Sequence, residues 1–189
     1  DAKPGATIAL GFREPIERRR LLESARSGEI ERLLNWLPVK TGDTFYTPAH
    51  TVHAIGGGIV LCEIQQHSDV TYRLWDYGRP RELHVEEAAT VADLGVHPGA
   101  VLPEAISEGH QLLVRSKHFV TESVILAAGE KHEAPSETCQ LWICLEGWGS
   151  IGSEAVRRGD VWLCPEDGCP VTVKAGETMR FLRTYVPGS

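Results

Sequence analysis

The sequence predicts a mainly β protein built from two barrels, with a short helical insert in the first. From residue 111 onward, short apolar segments recur every 8–12 residues or so, separated by Gly, Pro or charged pairs, as in sandwiches and barrels. The pattern Gly-Asp-x4-Pro at residues 42–48 recurs at residues 159–165, which favours two barrels of one lineage. Gly-Asp is also a common hairpin turn, so chance recurrence is the alternative. Residues 14–36 change to helical spacing of apolar side chains.

The N-terminal part predicts one strand followed by the helical insert. Residues 6–12 are apolar and predict a strand, and residues 14–36 predict two helices. Ser27-Gly28 interrupts the insert because glycine weakens a helix interior. The second helix is predicted to reach Trp36 and to stop at Pro38.

The remainder of the chain predicts strands on both sides of a linker. Residues 44–85 predict short strands, whereas residues 89–110 are rich in Ala, Pro, Gly and Glu and predict the linker. We therefore expect residues 1–88 to be the remainder of one barrel and residues 111–189 to be a second barrel without a metal motif. The strands predicted in the second barrel are residues 111–115, 119–127, 139–145, 149–151, 160–164, 171–175 and 179–185.

Composition excludes several classes of function. The net charge is -7 and the basic residues form no run, so we expect no nucleic-acid partner. The longest apolar runs are well short of the ~20 residues of a membrane helix, so we expect no membrane partner. No signal peptide is visible and the first residue is Asp. We expect an N-terminally truncated fragment of a cytoplasmic protein, with its first barrel incomplete.

The five cysteines predict reduced, buried thiols, as in cytosolic proteins. Cys139 and Cys144 are separated by four residues, as are Cys164 and Cys169. Such pairs leave open a four-thiolate zinc site, although the spacing is wide for a zinc ribbon. A disulfide is the remaining alternative.

The segment Gly42–Gly56 contains the candidate functional histidine. His53 follows Pro48 by five residues and is followed by small residues. A histidine placed there points into the mouth of a β-barrel, where it can meet a metal or a substrate. The alternative for such a histidine is a core or surface position, and we interpret His50 and His67 as surface residues or as supports of the site.

Polar side chains of three kinds follow His53 along the chain. Strand alternation would place Glu63, Gln65, His67 and Asp69 on one face, and Arg73 would join them four residues later. Carboxylate, imidazole and guanidinium groups on one face favour a site for a phosphorylated or otherwise anionic small molecule. The alternative is the solvated face of an antiparallel strand.

Three segments resemble one enzyme family. They are Pro48-Ala-His-Thr-Val-His-Ala-Ile-Gly, Glu63-Ile-Gln-Gln-His-Ser-Asp-Val-Thr-Tyr-Arg-Leu-Trp-Asp-Tyr and Pro80-Arg-Glu-Leu-His. Together they are similar to type I mannose-6-phosphate isomerases of the bacterial kind, closely over residues 1–90 and loosely beyond. That family belongs to the cupin superfamily. The resemblance therefore implies two cupin-like jelly-roll barrels, the first incomplete at its N-terminus, with a short α-helical insert.

The resemblance also implies an activity and a site. It implies a zinc-dependent aldose–ketose isomerase that interconverts mannose 6-phosphate and fructose 6-phosphate through a cis-enediol. The family holds zinc with one Gln, two His and one Glu, and His53 is the one zinc ligand that maps onto this chain. The resemblance implies catalytic roles for Arg73 and Glu63, and substrate binding by Asp69 and Arg79.

Two other functions stay open beside the enzyme. The chain would then be a non-catalytic cupin that binds a sugar phosphate, or a structural cupin remnant. Whether the protein is an enzyme or a non-catalytic binder, we expect its partner to be a small sugar phosphate. We also expect a monomer. A second metal site around His132 and Glu133 is not predicted, because a partner histidine is missing from that segment.

Overall fold

The chain forms two compact units, Asp1–Ala100 and Val101–Ser189. The computed structural model describes residues 1–68, 70–135, 137–166 and 169–187. Taken together, these residues form mainly β-strands, as the sequence predicts, although the first unit has more helical than strand residues. No helix in the described part of the chain is long and apolar enough to cross a membrane.

The first unit combines an antiparallel three-stranded sheet with short helices. Its elements, in chain order, are β1 (Thr7–Phe12), α1 (Arg18–Ser27), α2 (Ile30–Leu33), β2 (Leu34–Pro38), β3 (His53–Ile55) and α3 (Val85–Val91). The strand order is β2-β1-β3, so β1 is central and β3 forms one edge. This edge position places the N-terminal residue of β3, His53, at the rim of the sheet.

Helices α1 and α3 cover one face of this sheet. Phe12 of β1, Leu21 of α1, Ile30 of α2 and Ala89 of α3 belong to one buried cluster. Helix α1 ends at Gly28, whose φ of 81° is the left-handed conformation that glycine adopts without steric cost. The apolar face of α1 therefore covers the small sheet and contributes to a buried core in this unit.

The second helix of the insert is shorter than predicted. It ends at Leu33, because Leu34 takes the extended conformation with φ -67° and ψ 145°. Trp36, predicted at a helix end, instead lies in β2 and pairs with Ala9 of β1. Hydrogen-bonded pairing with β1 determines the structure of this segment, because tertiary contacts commonly override a weak helix propensity.

Two segments differ from their predicted structure. The predicted series of strands over residues 44–85 reduces to β3 among the described residues, together with isolated bridges at Thr51 and Ile59. A strand is stabilised by a hydrogen-bonded neighbour, and no described strand pairs with residues 61–68 or 70–84. Residues 89–110 contain the end of α3 and the strand Glu104–Ser107.

The second unit consists of two antiparallel sheets that share one core. Its strands are β4 (Glu104–Ser107), β5 (His110–Arg115), β6 (Val120–Leu126), β7 (Lys131–Ala134), β8 (Gln140–Glu146), β9 (Trp148–Ile151), β10 (Glu154–Arg157), β11 (Val161–Cys164), β12 (Val171–Ala175) and β13 (Met179–Tyr185). The sheet orders are β11-β8-β13-β6-β5-β4 and β10-β9-β12-β7. Trp142 and Phe181 of the larger sheet cluster with Val156 and Val173 of the smaller one, so the sheets pack face to face.

The cysteines are distributed differently from the prediction. Cys144 is buried, and burial above all raises the pKa of its thiol to about 11. Cys62, Cys139 and Cys169 are exposed, so the prediction of buried thiols is wrong for these three. Their places on loops rather than inside strands account for the difference. No disulfide links the cysteines within the described residues.

Candidate functional site

His53 begins the edge strand β3, opposite Leu10 of β1. Its side chain is exposed, and its Nδ1 atom lies 3.0 Å from the carbonyl oxygen of Thr51. A carbonyl oxygen only accepts hydrogen bonds, so this contact places the ring proton on Nδ1. The Nε2 lone pair is then available to a metal ion or to a substrate hydroxyl. The exposure of the ring excludes the alternative of a core histidine.

A tight turn precedes this strand. The Thr51 amide donates to the Pro48 carbonyl at 3.2 Å, and His50 has a φ of 75°, in the left-handed region. The Asp93 amide donates to the His50 carbonyl at 2.9 Å, which ties the turn to the segment after α3. The backbone of His50 thus shapes the approach to His53, while its ring is exposed at the surface.

Arg73 lies in an irregular segment that folds back on residues 82–84. Its amide donates to His84 Nδ1 at 3.3 Å, and the His84 amide donates to the Arg73 carbonyl at 2.8 Å. Its Nη1 atom donates to the Glu82 carbonyl at 3.0 Å. Within the described residues the guanidinium is therefore held by one backbone carbonyl rather than by a carboxylate.

Arg79 is joined to Asp76, a residue that the sequence analysis did not single out. Asp76 is buried, and its carboxylate accepts hydrogen bonds from Arg79 at 2.6 Å and from Arg81 Nη2 at 2.5 Å. The Arg81 hydrogen bond, followed by the charges of Arg79, Arg81 and Arg73, holds the pKa of Asp76 below its usual value against the effect of burial. Arg79 and Arg81 thus contact one carboxylate, and Arg73 acts on it through its charge alone.

Glu63 and Asp69 are not brought into this group. Glu63 is exposed, and it makes no hydrogen bond or ion pair with residues that the structure describes. The shared face predicted for residues 63–69 requires a strand, which residues 61–68 do not form. Asp69 lies outside the described residues. No hydrogen bond or ion pair in the described part of the chain joins His53 or Glu63 to Arg73.

The side-chain donors in the described part of the chain do not form a complete metal site. Among the described residues, no group of three or more His, Cys, Asp or Glu side chains is placed to hold a metal ion. Zinc in proteins takes three or four side-chain ligands. His53 supplies one imidazole donor, so the described residues fit a zinc ion only if further donors join it.

A small cavity lies beside the His50 turn. Its volume is about 90 Å³. Its lining residues include Pro48, Thr51, Asp93 and His97. This is well below the roughly 300–1,000 Å³ of ligand pockets in general. The cavity is therefore too small for a sugar phosphate, and it is not the substrate site.

The second unit contains a buried polar cluster that the sequence analysis missed. Glu122 of β6 accepts hydrogen bonds from His110 at 2.9 Å, from Arg183 at 3.0 Å and from Tyr185 at 2.8 Å. Arg183 also donates to Gln140 at 2.8 Å. Burial alone would raise the pKa of Glu122, but these hydrogen bonds and the charge of Arg183 lower it overall. Glu122 of β6 and Arg183 of β13 lie opposite each other in two paired strands. Because they are far apart in the sequence, only the folded structure reveals this pair.

His132 stands at the margin of this cluster. Its ring lies 5.2 Å from that of His110 and 5.8 Å from that of Trp142, measured between centroids. Burial, and then the charges of His110 and Arg183, lower the pKa of His132 against the opposing effect of Glu122. The cluster is a network of cationic and anionic groups that hydrogen-bond to one another within the second unit, and it lies beside His132, whose neutral form is favoured.

Comparison with known proteins identifies relatives over half or more of the chain. A mannose-6-phosphate isomerase from Streptococcus mutans is 34% identical over 177 residues, which are 87% of this chain and 55% of the relative. The Bacillus subtilis mannose-6-phosphate isomerase ManA is 41% identical over 100 residues, which are 50% of this chain and 31% of the relative. No family model matches.

Solved structures agree with the sequence relatives. A crystal structure of the mannose 6-phosphate isomerase from Bacillus subtilis matches with a TM-score of 0.86 and 27% identity, covering 97% of this chain and 62% of that one. The chain therefore shares the fold of this isomerase over almost its whole length and is homologous to proteins named mannose-6-phosphate isomerase. It spans slightly more than half of their length.

Proposed function

We propose that this chain is part of a sugar-phosphate isomerase that interconverts mannose 6-phosphate and fructose 6-phosphate. The observation that carries the proposal is the homology with the Streptococcus mutans mannose-6-phosphate isomerase, which extends over 87% of the chain. The exposed imidazole of His53 and the guanidinium of Arg73 support it, because both are groups that this chemistry requires.

Each candidate residue has a role in this proposal. The reaction moves a proton between C1 and C2 of the sugar through a cis-enediol, which needs an acid/base group within hydrogen-bond reach of both carbons. Arg73 stabilises the negative charge that develops on the enediolate oxygen. Glu63 takes part in the polar contacts around the bound substrate or in the proton relay. Asp69 and Arg79 bind the substrate.

We also propose that His53 binds zinc through Nε2, with the Thr51 carbonyl holding the ring in the required tautomer. Zinc, when bound, supplies positive charge to the sugar oxygens. The described residues do not complete a group of three or more such donors around His53, so at least one further ligand has to come from outside them.

The first experiment measures isomerisation of mannose 6-phosphate by the product of the longest open reading frame that encodes this chain. We expect isomerase activity and bound zinc in that protein. His53→Ala should remove the zinc and the activity. His118→Ala is the matched control, because His118 is a half-buried histidine of the second unit that belongs to no candidate site, and its removal should leave both unchanged. Unchanged zinc content in His53→Ala would overturn the ligand assignment, and binding of the sugar phosphate without turnover would favour a non-catalytic sugar-phosphate-binding protein.

The second experiment tests the enediol. In D2O, a proton that passes through an acid/base group exchanges with solvent, so fructose 6-phosphate should carry deuterium at C1. Mass spectrometry of the product measures this label. A product free of deuterium would point to direct hydride transfer between C2 and C1 and would contradict the proposed mechanism.

A further inference from the structure

Asp76 is a nearly enclosed carboxylate whose two oxygens are both occupied. Its side chain is 5% exposed, and Oδ1 accepts from Arg79 and Arg81 while Oδ2 accepts from Arg81 Nε. A buried carboxylate is stable in its charged form when charged donors satisfy it, and two guanidinium groups do so here. Asp76 therefore fixes one edge of each arginine.

The opposite edge of each arginine is open. The side chains of Arg79 and Arg81 are 58% and 49% exposed, although each is tied to Asp76. A guanidinium has five N–H donors, and Arg79 and Arg81 use only Nε and Nη2 on Asp76. Their Nη1 groups make no hydrogen bond within the part of the chain that the structure describes. Both arginines are thus oriented and still able to donate to a ligand.

The turn that brings Arg79 back to Asp76 has an uncommon backbone. Tyr77 and Gly78 both have positive φ, 54° and 73°, and the Arg79 amide donates to the Asp76 carbonyl at 2.9 Å. This is the pattern of a type I′ turn. A non-glycine residue in the left-handed region is disfavoured by about 1–2 kcal/mol. The Arg79 guanidinium lies 5.6 Å from the centre of the Tyr77 ring. The residue with the disfavoured backbone conformation therefore also packs against the arginine.

The local charge is suited to an anion. Three guanidinium groups, those of Arg73, Arg79 and Arg81, act on the carboxylate of Asp76, so these four side chains together carry an excess of two positive charges. A phosphate monoester carries about -1.5 to -2 at pH 7. In a chain with a net charge of -7, this cationic cluster is a local exception.

We infer that Asp76 is a positioning residue that holds Arg79 and Arg81 in place to bind the phosphate group of the substrate. The inference rests on the proposed isomerase function and adds to it the residue that orders the phosphate-binding arginines. Arg81 becomes a substrate-binding residue, and Asp76 acts only through the two arginines.

The test compares Asp76→Asn with the parent protein in steady-state kinetics. The amide keeps the size of the side chain but loses the charge that orders the guanidinium groups. We expect KM for mannose 6-phosphate to rise about tenfold and kcat to change less than about twofold. The variant weakens binding of the substrate and of the transition state equally, so the chemical step is not slowed. Inhibition by unphosphorylated mannose should be unchanged. Glu86→Gln is the matched control, because it removes an exposed carboxylate that pairs with Arg26 in the same unit.

A second variant guards against a loss of folding. Arg81→Lys keeps the positive charge and loses the planar fork of donors. It should reproduce the rise in KM. The rise in the double variant should be smaller than the product of the two single rises, because part of the effect of Asp76 passes through Arg81. An unchanged KM, an equal loss of affinity for mannose and mannose 6-phosphate, or additive effects in the double variant would each overturn the inference.

A binding measurement separates this inference from the proposed function. Inorganic phosphate is titrated into the protein while the NMR signals of the arginine side chains are recorded. Shifts of Arg79 and Arg81 without any isomerase activity would overturn the proposed function and support the phosphate site. Isomerase activity without those shifts would overturn the phosphate site alone.

Discussion

At the scale of single residues, Glu122 shows how a charge is accommodated inside the second unit. Its side chain is 6% exposed, yet His110, Arg183 and Tyr185 all donate to its two oxygens. Arg183 is equally enclosed and stacks over the Tyr185 ring at 4.5 Å. Each charge is therefore stable in the barrel only in the presence of the other.

Glu122→Gln is expected to destabilise the second unit by about 3–5 kcal/mol, because it leaves the Arg183 guanidinium buried without its counter-charge. Urea unfolding followed by tryptophan fluorescence measures the change. Glu146→Gln makes the same chemical change in the same unit at a carboxylate that is 55% exposed and lies 4.0 Å from Arg180. It should cost less than about 1 kcal/mol. Similar costs for the two variants would contradict a special role for the Glu122 cluster.

At the scale of elements, the end of α1 depends on one glycine. Gly28 has a left-handed φ, and a Cβ atom added there would lie 2.9 Å from ring atoms of Trp75. Trp75 in turn donates from its indole nitrogen to Glu31 at 3.0 Å and packs against the core of the first unit. The glycine thus allows the helix to stop and the tryptophan to close over its end.

Gly28→Ala should lower the stability of the first unit by about 1–3 kcal/mol, through backbone strain and the displaced indole ring. Gly5→Ala is the control, because Gly5 also has a φ of 81° but an added Cβ there would meet open space. The shift in urea midpoint should be clearly larger for Gly28→Ala. Equal shifts would mean that Trp75 adjusts without cost.

The strands that sequence reasoning found are those with strong apolar alternation. The bounds predicted at residues 171–175 and 179–185 match β12 and β13. The missed strands β7 and β10 have the sequences KHEA and EAVR, whose polar residues carry too little apolar signal. They become strands because β12 and β9 are there to pair with them, which is a property of the fold rather than of the segment.

The candidate site was predictable to a similar extent. His53 was singled out by its spacing from Pro48; it is exposed at a sheet edge, and its role as a metal ligand stays a prediction. The partnership of Asp76 with Arg79 and Arg81 was not predictable, because it depends on a strained turn and on burial of the carboxylate. The role of Glu63 stays a prediction, since it has no described contact that tests it.

At the scale of the whole molecule, the polar cluster makes stability depend on pH. His132 faces His110 of β5, Glu122 of β6 and Arg183 of β13, and its pKa in the folded protein is below the ordinary value of 6.5. The folded state therefore prefers the neutral imidazole, while the unfolded chain takes up a proton below pH ~6.5. This contribution to stability is complete above that pH and decreases as the pH falls.

We expect the melting temperature to fall between pH 7 and pH 5 and then to fall again below about pH 4.3, where Glu122 of the unfolded chain also takes up a proton. The second step has the same sign, because the pKa of Glu122 is lowered in the folded protein. His132→Gln removes the titrating group and should flatten the first step only. A melting temperature that is constant from pH 7 to pH 5 in the parent protein would contradict this account.

The pairing of Glu122 with Arg183 also selects one alignment of β6 and β13 over its neighbours. Because side chains alternate between the two faces of a strand, sliding β13 by a single residue would turn the guanidinium outward and bring a different side chain inside. The misaligned barrel would then enclose a lone carboxylate, at a cost of several kcal/mol. Two oppositely charged groups, 61 positions apart in the chain, thereby favour the native register when the sheet assembles.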